Sequence, residues 1–210
     1  MLTVALTGGI ASGKSIVAEV LKDLGCYIHH SDKIAHELMK PLSPVWKKIK
    51  EHFGENVINP DKTINRSKLG AIIFSNNDER QFLNNLIHPL VIKKEKEIIE
   101  QMRREENYNI FISEAALTIE ANYARFFDKV VVVYCKREIQ IKRLIDRDHI
   151  TRTEAIKKIR SQMPSEEKLK YADYIIDTSD SLASTIEQTE RLYRNLMMDY
   201  AIKYNDKLEK

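Results

Sequence analysis

A glycine-rich stretch, Gly8-Gly9-Ile10-Ala11-Ser12-Gly13-Lys14-Ser15, lies between an apolar run at residues 2–6 and a segment whose Val17, Val20, Leu21 and Leu24 share one helix face. The run reads as a buried strand, and the periodic segment as a helix stopped by Gly25. The stretch between them fits G-x-x-x-x-G-K-[ST], and its position is the one the chemistry requires. Successive backbone N–H groups there surround phosphate oxygens, and the helix that follows points its positive dipole end at them. A chain that begins this way is committed to an α/β architecture with its first strand inside a mostly parallel sheet. Gly8, Gly9, Ile10, Ala11, Ser12, Gly13, Lys14, Ser15 and Ile16 are the candidate nucleotide-binding residues. Lys14 should reach the β- and γ-phosphates, and the Ser15 hydroxyl should ligand Mg²⁺. The loop alone does not name the acceptor, because switches, motors and kinases all carry it.

Further strands are expected at residues 27–30, 109–113, 130–135 and 174–176, with helical connections. Strands alternating with helices place ligands at the carboxyl ends of the strands, with helices covering both faces. Between the second and third strands the pattern is helical throughout, at 33–40, 66–74, 78–87 and 90–104. A second excursion at 137–171 is rich in Arg and Lys. Within it Thr151 and Glu154 form a capping box before a helix that Pro164 terminates. We therefore expect a nucleotide-binding core of residues 1–32, 106–136 and 172–210, a helical acceptor-binding insertion at 33–105, and a helical lid at 137–171.

Composition narrows the partners. The chain has 210 residues, a formal net charge of +3 and two cysteines. That charge is too mild to call for nucleic acid, and no basic-aromatic pattern suggests it. Cys26 and Cys135 lack the spacing of a disulfide framework or zinc site, so both are expected reduced. No leader pattern opens the sequence, and no apolar run approaches the ~20 residues of a membrane span. A cytoplasmic location without membrane contact follows; oligomeric state is left open.

Asp32 falls just after the second strand, on the same sheet edge as the loop. It can accept the proton of an attacking hydroxyl or orient Mg²⁺ through water, and Ser31 or Asp32 can also simply cap the next helix. Arg143 and Arg147 lie four apart and share a helix face, suited either to closing over phosphates or to pairing with Asp146 or Glu138 in solvent. Pro89 suits a first helical turn with His88 before it as part of the cap, or the pair can contact an acceptor. Arg66 can bind an anion or begin a helix. Glu114, ending the third strand, can support Mg²⁺ or an acceptor ribose.

Taken together, residues 7–15, Ser31-Asp32-Lys33-Ile34-Ala35-His36, Asn65-Arg66-Ser67-Lys68-Leu69 and Ile87-His88-Pro89-Leu90 resemble the dephospho-CoA kinase family. So do the stretch from Gln140 to Asp148, Ser161-Gln162-Met163-Pro164 and Ala172-Asp173-Tyr174-Ile175-Ile176-Asp177. The resemblance spans nearly the whole chain. It implies ATP and Mg²⁺ as cofactors, dephospho-CoA as the small-molecule acceptor, and transfer to its ribose 3′-hydroxyl to give CoA and ADP. It also implies Asp32 as general base, with Lys14 and a lid arginine, Arg147 ahead of Arg143, stabilising the transferring group. Three positions depart from the family pattern. Ala11 replaces a frequent glycine, the stretch from Glu114 to Glu120 matches only loosely, and Thr178 stands where asparagine is common. Another P-loop small-molecule kinase is the nearest alternative reading. A nucleotide-dependent switch is a more distant one, since no Asn-Lys-x-Asp guanine motif is present.

Overall fold

The computed structural model describes the backbone of residues 1–208 and the side chains of residues 1–205. The elements follow in the order β1 (Leu2–Gly8), α1 (Lys14–Asp23), β2 (Tyr27–His30), α2 (Ser31–Leu38), α3 (Pro44–Phe53), α4 (Arg66–Ser75) and α5 (Asn77–Glu105). Then come β3 (Ile110–Glu114), β4 (Lys129–Tyr134), α6 (Arg137–Asp148), α7 (Arg152–Arg160), α8 (Ser165–Lys168), β5 (Tyr174–Asp177) and α9 (Leu182–Leu208). They form two compact units, one of Met1–His30 with the chain from Ile98 onward, the other of Ser31–Glu97.

In the first unit, the described strands make one sheet in the order β2-β3-β1-β4-β5, and every neighbouring pair is parallel. All seven residues of β1 are buried, as a central strand covered on both faces demands. Alternation sends Leu2, Val4 and Leu6 to one face, where with Ile110, Ile112, Val131 and Val133 they pack against Val17 and Leu21 of α1 and Leu192 and Leu196 of α9. Residues 137–171 also belong to this unit. There Ile141, Leu144 and Ala155 make a small separate core.

The second unit has its own core of Val45, Trp46, Ile49, Val57, Ile64, Leu69, Leu83 and Ile87. Its helix starts are locally encoded. Ser43 caps α3 by accepting from the Trp46 N–H, with Pro44 just inside, and Asn65 caps α4 by accepting from the Lys68 N–H.

Most sequence expectations shift by a residue or two. β1 runs on to Gly8 because Gly8 still pairs with Val133 of β4. α7 opens on the expected Thr151–Glu154 capping box but ends at Arg160, so Pro164 instead stands at the start of α8. The larger difference lies at Pro89. Two helices were expected there, with His88 and Pro89 at the start of the second; instead Pro89 lies inside one continuous 29-residue helix, α5. Proline removes a single donor from that ladder. The buried Leu83 and Ile87 before it, and Ile99 and Met102 after it, supply the side-chain packing that holds both halves helical.

Restoring the missing donor should therefore stabilise α5. Pro89→Ala is expected to raise unfolding free energy by about 1–3 kcal/mol, read as a higher urea midpoint at unchanged slope.

Candidate active site

The register brings His30, Glu114 and the end of β1 to one sheet edge, since His30 pairs with Glu114 and Glu114 with Leu6. From that edge the loop leaves β1. Gly8 passes so close to β4 that a Cβ there would lie 2.3 Å from the Val133 carbonyl oxygen, and one on Gly9 would lie 2.5 Å from Gln140 Nε2. Gly13 is left-handed at φ 92° and begins α1 with no side-chain cap. Ala11 is also left-handed, at φ 56°, which costs a residue with a Cβ roughly 1–2 kcal/mol. The Ser12 hydroxyl is buried without a protein partner. Lys14 Nζ folds back onto the carbonyls of Gly8 at 3.0 Å and Gly9 at 3.3 Å. Ser15 and Ile16 are exposed at the start of α1. An uncapped helix start, a cradle any Cβ would fill and an orphaned buried hydroxyl fit an anionic guest that brings its own acceptors.

On the sheet edge His30 Nδ1 lies 2.6 Å from Glu114 Oε2, and the Glu114 side chain is largely buried. In the second unit, Asp32 is exposed in the first turn of α2, where its charge suits the helix dipole. The helix begins at Ser31 rather than Lys33. The buried Ser31 hydroxyl donates to the buried Glu95 carboxylate at 2.6 Å. Arg66, at the first position of α4, is exposed and places Nη1 2.9 Å from His36 Nε2. Partial burial, then the Arg66 guanidinium, holds the His36 pKa below its ordinary value. The neutral ring this favours can accept that hydrogen bond. His88 is half-buried within α5.

The two candidate arginines of α6 take different partners. Arg143 donates to the Thr178 hydroxyl at 2.8 Å and the Thr178 carbonyl at 2.7 Å; the same hydroxyl donates to the Ser12 carbonyl at 2.7 Å. Arg143 is thus joined to the loop through one intervening residue. Arg147 instead pairs with Asp148 at 2.8 Å, and Asp148 also accepts from Lys158 at 2.9 Å. Hydrogen bonds from Arg147 and Lys158 hold the Asp148 carboxyl down to about 2.

Several residues at the loop were not singled out from sequence. Gln140 Nε2 donates to the Ile10 carbonyl at 2.5 Å, and the Ile10 N–H donates to Gln162 Oε1 at 2.8 Å. Lys168, with no exposed side-chain surface, donates to the Ala116 carbonyl at 2.7 Å and pairs with Glu120 at 2.8 Å. Glu120 also accepts from the Met163 N–H at 3.1 Å. Thr7, one residue before the loop, donates to the same Ala116 carbonyl at 3.2 Å. Burial pushes the Lys168 pKa below its usual value, with Glu120 opposing that shift. Thr7, Gln140 and Gln162 lie in segments already matched by resemblance, and Glu120 in one matched only loosely. No local signal showed the contacts of these residues or of Lys168, because their partners are remote in sequence.

Residues 2–184 match the family profile of dephospho-CoA kinase. The chain belongs to the dephospho-CoA kinase family. A dephospho-CoA kinase of Carboxydothermus hydrogenoformans is 40% identical over 185 residues, covering 88% of this chain and 89% of its own. The solved structure of dephospho-CoA kinase from Campylobacter jejuni aligns with a TM-score of 0.67 at 31% identity, covering 92% of this chain and 96% of that one. Shikimate kinase from Acinetobacter baumannii, with a TM-score of 0.53 at 14% identity, covers 95% of this chain and 94% of its own and shares the fold alone. The chain is accordingly a P-loop kinase, an enzyme that uses a nucleotide as phosphoryl donor. Among the described residues no helix is long and apolar enough to cross a membrane.

Two outcomes follow for the segment beside the loop. Lys168→Met should strand the Glu120 carboxylate and cost about 3 kcal/mol, whereas adding Glu120→Gln should recover part of that loss in a double-mutant cycle. Asp148 has a folded pKa below its ordinary 3.8, so its contribution is present above pH 4 and fades as pH falls toward 2. Asp148→Asn should therefore flatten the stability–pH curve across that interval.

Proposed function

We propose that the chain phosphorylates the ribose 3′-hydroxyl of dephospho-CoA with Mg²⁺-ATP, releasing CoA and ADP in the last step of coenzyme A synthesis. The observation that carries this reading is the glycine cradle with its orphaned Ser12 hydroxyl, in a chain of this family. Residues 31–97 serve as the acceptor-binding part and 137–171 as the lid that excludes competing water. The two buried free cysteines suit a reducing cytoplasm.

In this mechanism the Lys14 ammonium, placed at the Gly8 and Gly9 carbonyls of the loop, meets the β- and γ-phosphates. Ser15, aided by Asp32 through water, would hold Mg²⁺, which neutralises phosphate charge. Asp32, exposed two residues beyond β2, accepts the proton of the 3′-hydroxyl as its oxygen bonds to the γ-phosphorus. The bond from that phosphorus to the β-phosphate oxygen breaks, and ADP leaves with the electron pair. Arg143 and Arg147 offset charge developing on the transferred group. Glu114, steadied by His30, faces the phosphate edge, while Arg66 and His88 contact the anionic acceptor.

Product analysis with Mg²⁺-ATP and dephospho-CoA should show CoA and ADP in equal amounts, and Asp32→Asn should slow turnover roughly 10²- to 10⁴-fold while still binding ATP. A folded Asp32→Asn protein of near-normal rate would remove Asp32 as the base. ADP formed only with adenosine, AMP or shikimate as acceptor would overturn the acceptor assignment.

A further inference from the structure

We propose that Gln140, Gln162 and Thr178 are positioning residues that hold the phosphate loop in its nucleotide-receiving shape and tie that shape to the helices of residues 137–171. This rests on the loop being the nucleotide site. The peptide of Ile10 is gripped from both sides, its carbonyl by the Gln140 amide at 2.5 Å and its N–H by the Gln162 oxygen at 2.8 Å. Two residues later the Ser12 carbonyl is held by the Thr178 hydroxyl at 2.7 Å. Between these two holds sits Ala11, the left-handed residue with a Cβ.

The holds are well placed to counter that strain. Gln140 is 3% exposed and Thr178 2%, so water cannot readily replace a lost partner. The side chains of Ile10 and Ala11 pack against the cluster of Ile141, Leu144 and Ala155 from α6 and α7. One turn of α6 separates Gln140, which holds Ile10, from Arg143, which holds Thr178 by two hydrogen bonds. A displacement of α6 is therefore felt on both sides of Ala11. With its N–H donated to Gln162 and its carbonyl held by Gln140, the Ile10 peptide fixes the directions of its neighbours in the loop. Gly9 obeys the same constraint, since a Cβ there would meet Gln140 and lie 3.2 Å from Ser165 Oγ.

The test is binding of a fluorescent ATP analogue, without acceptor, to the full chain and to Gln140→Met, Gln162→Met, Thr178→Val and Thr178→Ser, followed by kcat and KM for ATP. Loss of one buried hydrogen bond should weaken nucleotide binding roughly tenfold and raise KM for ATP in parallel, with kcat at saturating ATP little changed. Thr178→Ser, which keeps the hydroxyl, should bind like the parent. Gln162 is only half-buried, so Gln162→Met keeps the test open if Thr178→Val fails to fold. Folded variants that bind ATP as tightly as the parent, or that lose thermal stability with KM unchanged, would overturn the proposal. A parent protein that binds no nucleotide would instead overturn the reading of the loop itself.

Discussion

The phosphate loop and the contacts made to it depend on β1 being hydrogen-bonded on both sides, to β3 through residues 2–6 and to β4 through residues 4–8. A strand buried along its whole length with both edges paired has little freedom to shift, so the point where it ends is fixed in space. The approach of Gly8 to the Val133 carbonyl belongs to that pairing and excludes any side chain there. The loop can therefore be short and glycine-rich, and still start from a defined position and direction.

From that fixed point the loop needs support that glycine cannot give. Its local sequence permits many shapes, and the observed shape includes a strained alanine and a buried hydroxyl lacking a protein partner. The compensation comes from elsewhere in the first unit, in amides and hydroxyls that reach loop peptides and in an apolar cluster that takes up Ile10 and Ala11. Nearby, Lys168 and Glu120 join the residues after β3 to those after α7, at the desolvation cost of burying a cation. Polar contacts of this kind are costly when incomplete and highly directional when complete, which suits a site that must be shaped before its ligand arrives.

Much of this was legible in the residues themselves. The strand, loop and first helix follow from periodicity and from two glycines at set positions, and the five strands fall within a residue or two of where apolar runs place them. The capping box at Thr151 was legible because both of its members lie within one turn. Pro89 misled, since the local rule for proline at a helix start is weaker than the packing of a long helix on both sides of it. The spacing of Arg143 and Arg147 showed a shared face, but not that one reaches Thr178 while the other turns to Asp148.

By itself the sequence determined the phosphate loop, from residue types at short fixed spacings, the α/β class, from alternating strand and helix periodicity, and the family, from several short motifs in order along the chain. Only the tertiary structure decided which side chains hold the loop. Gln162 reaches Ile10 across 152 positions of chain and Thr178 reaches Ser12 across 166. No local propensity encodes such pairings. They arise when a parallel sheet gathers the carboxyl ends of its strands on one edge and brings the segments that leave them into contact.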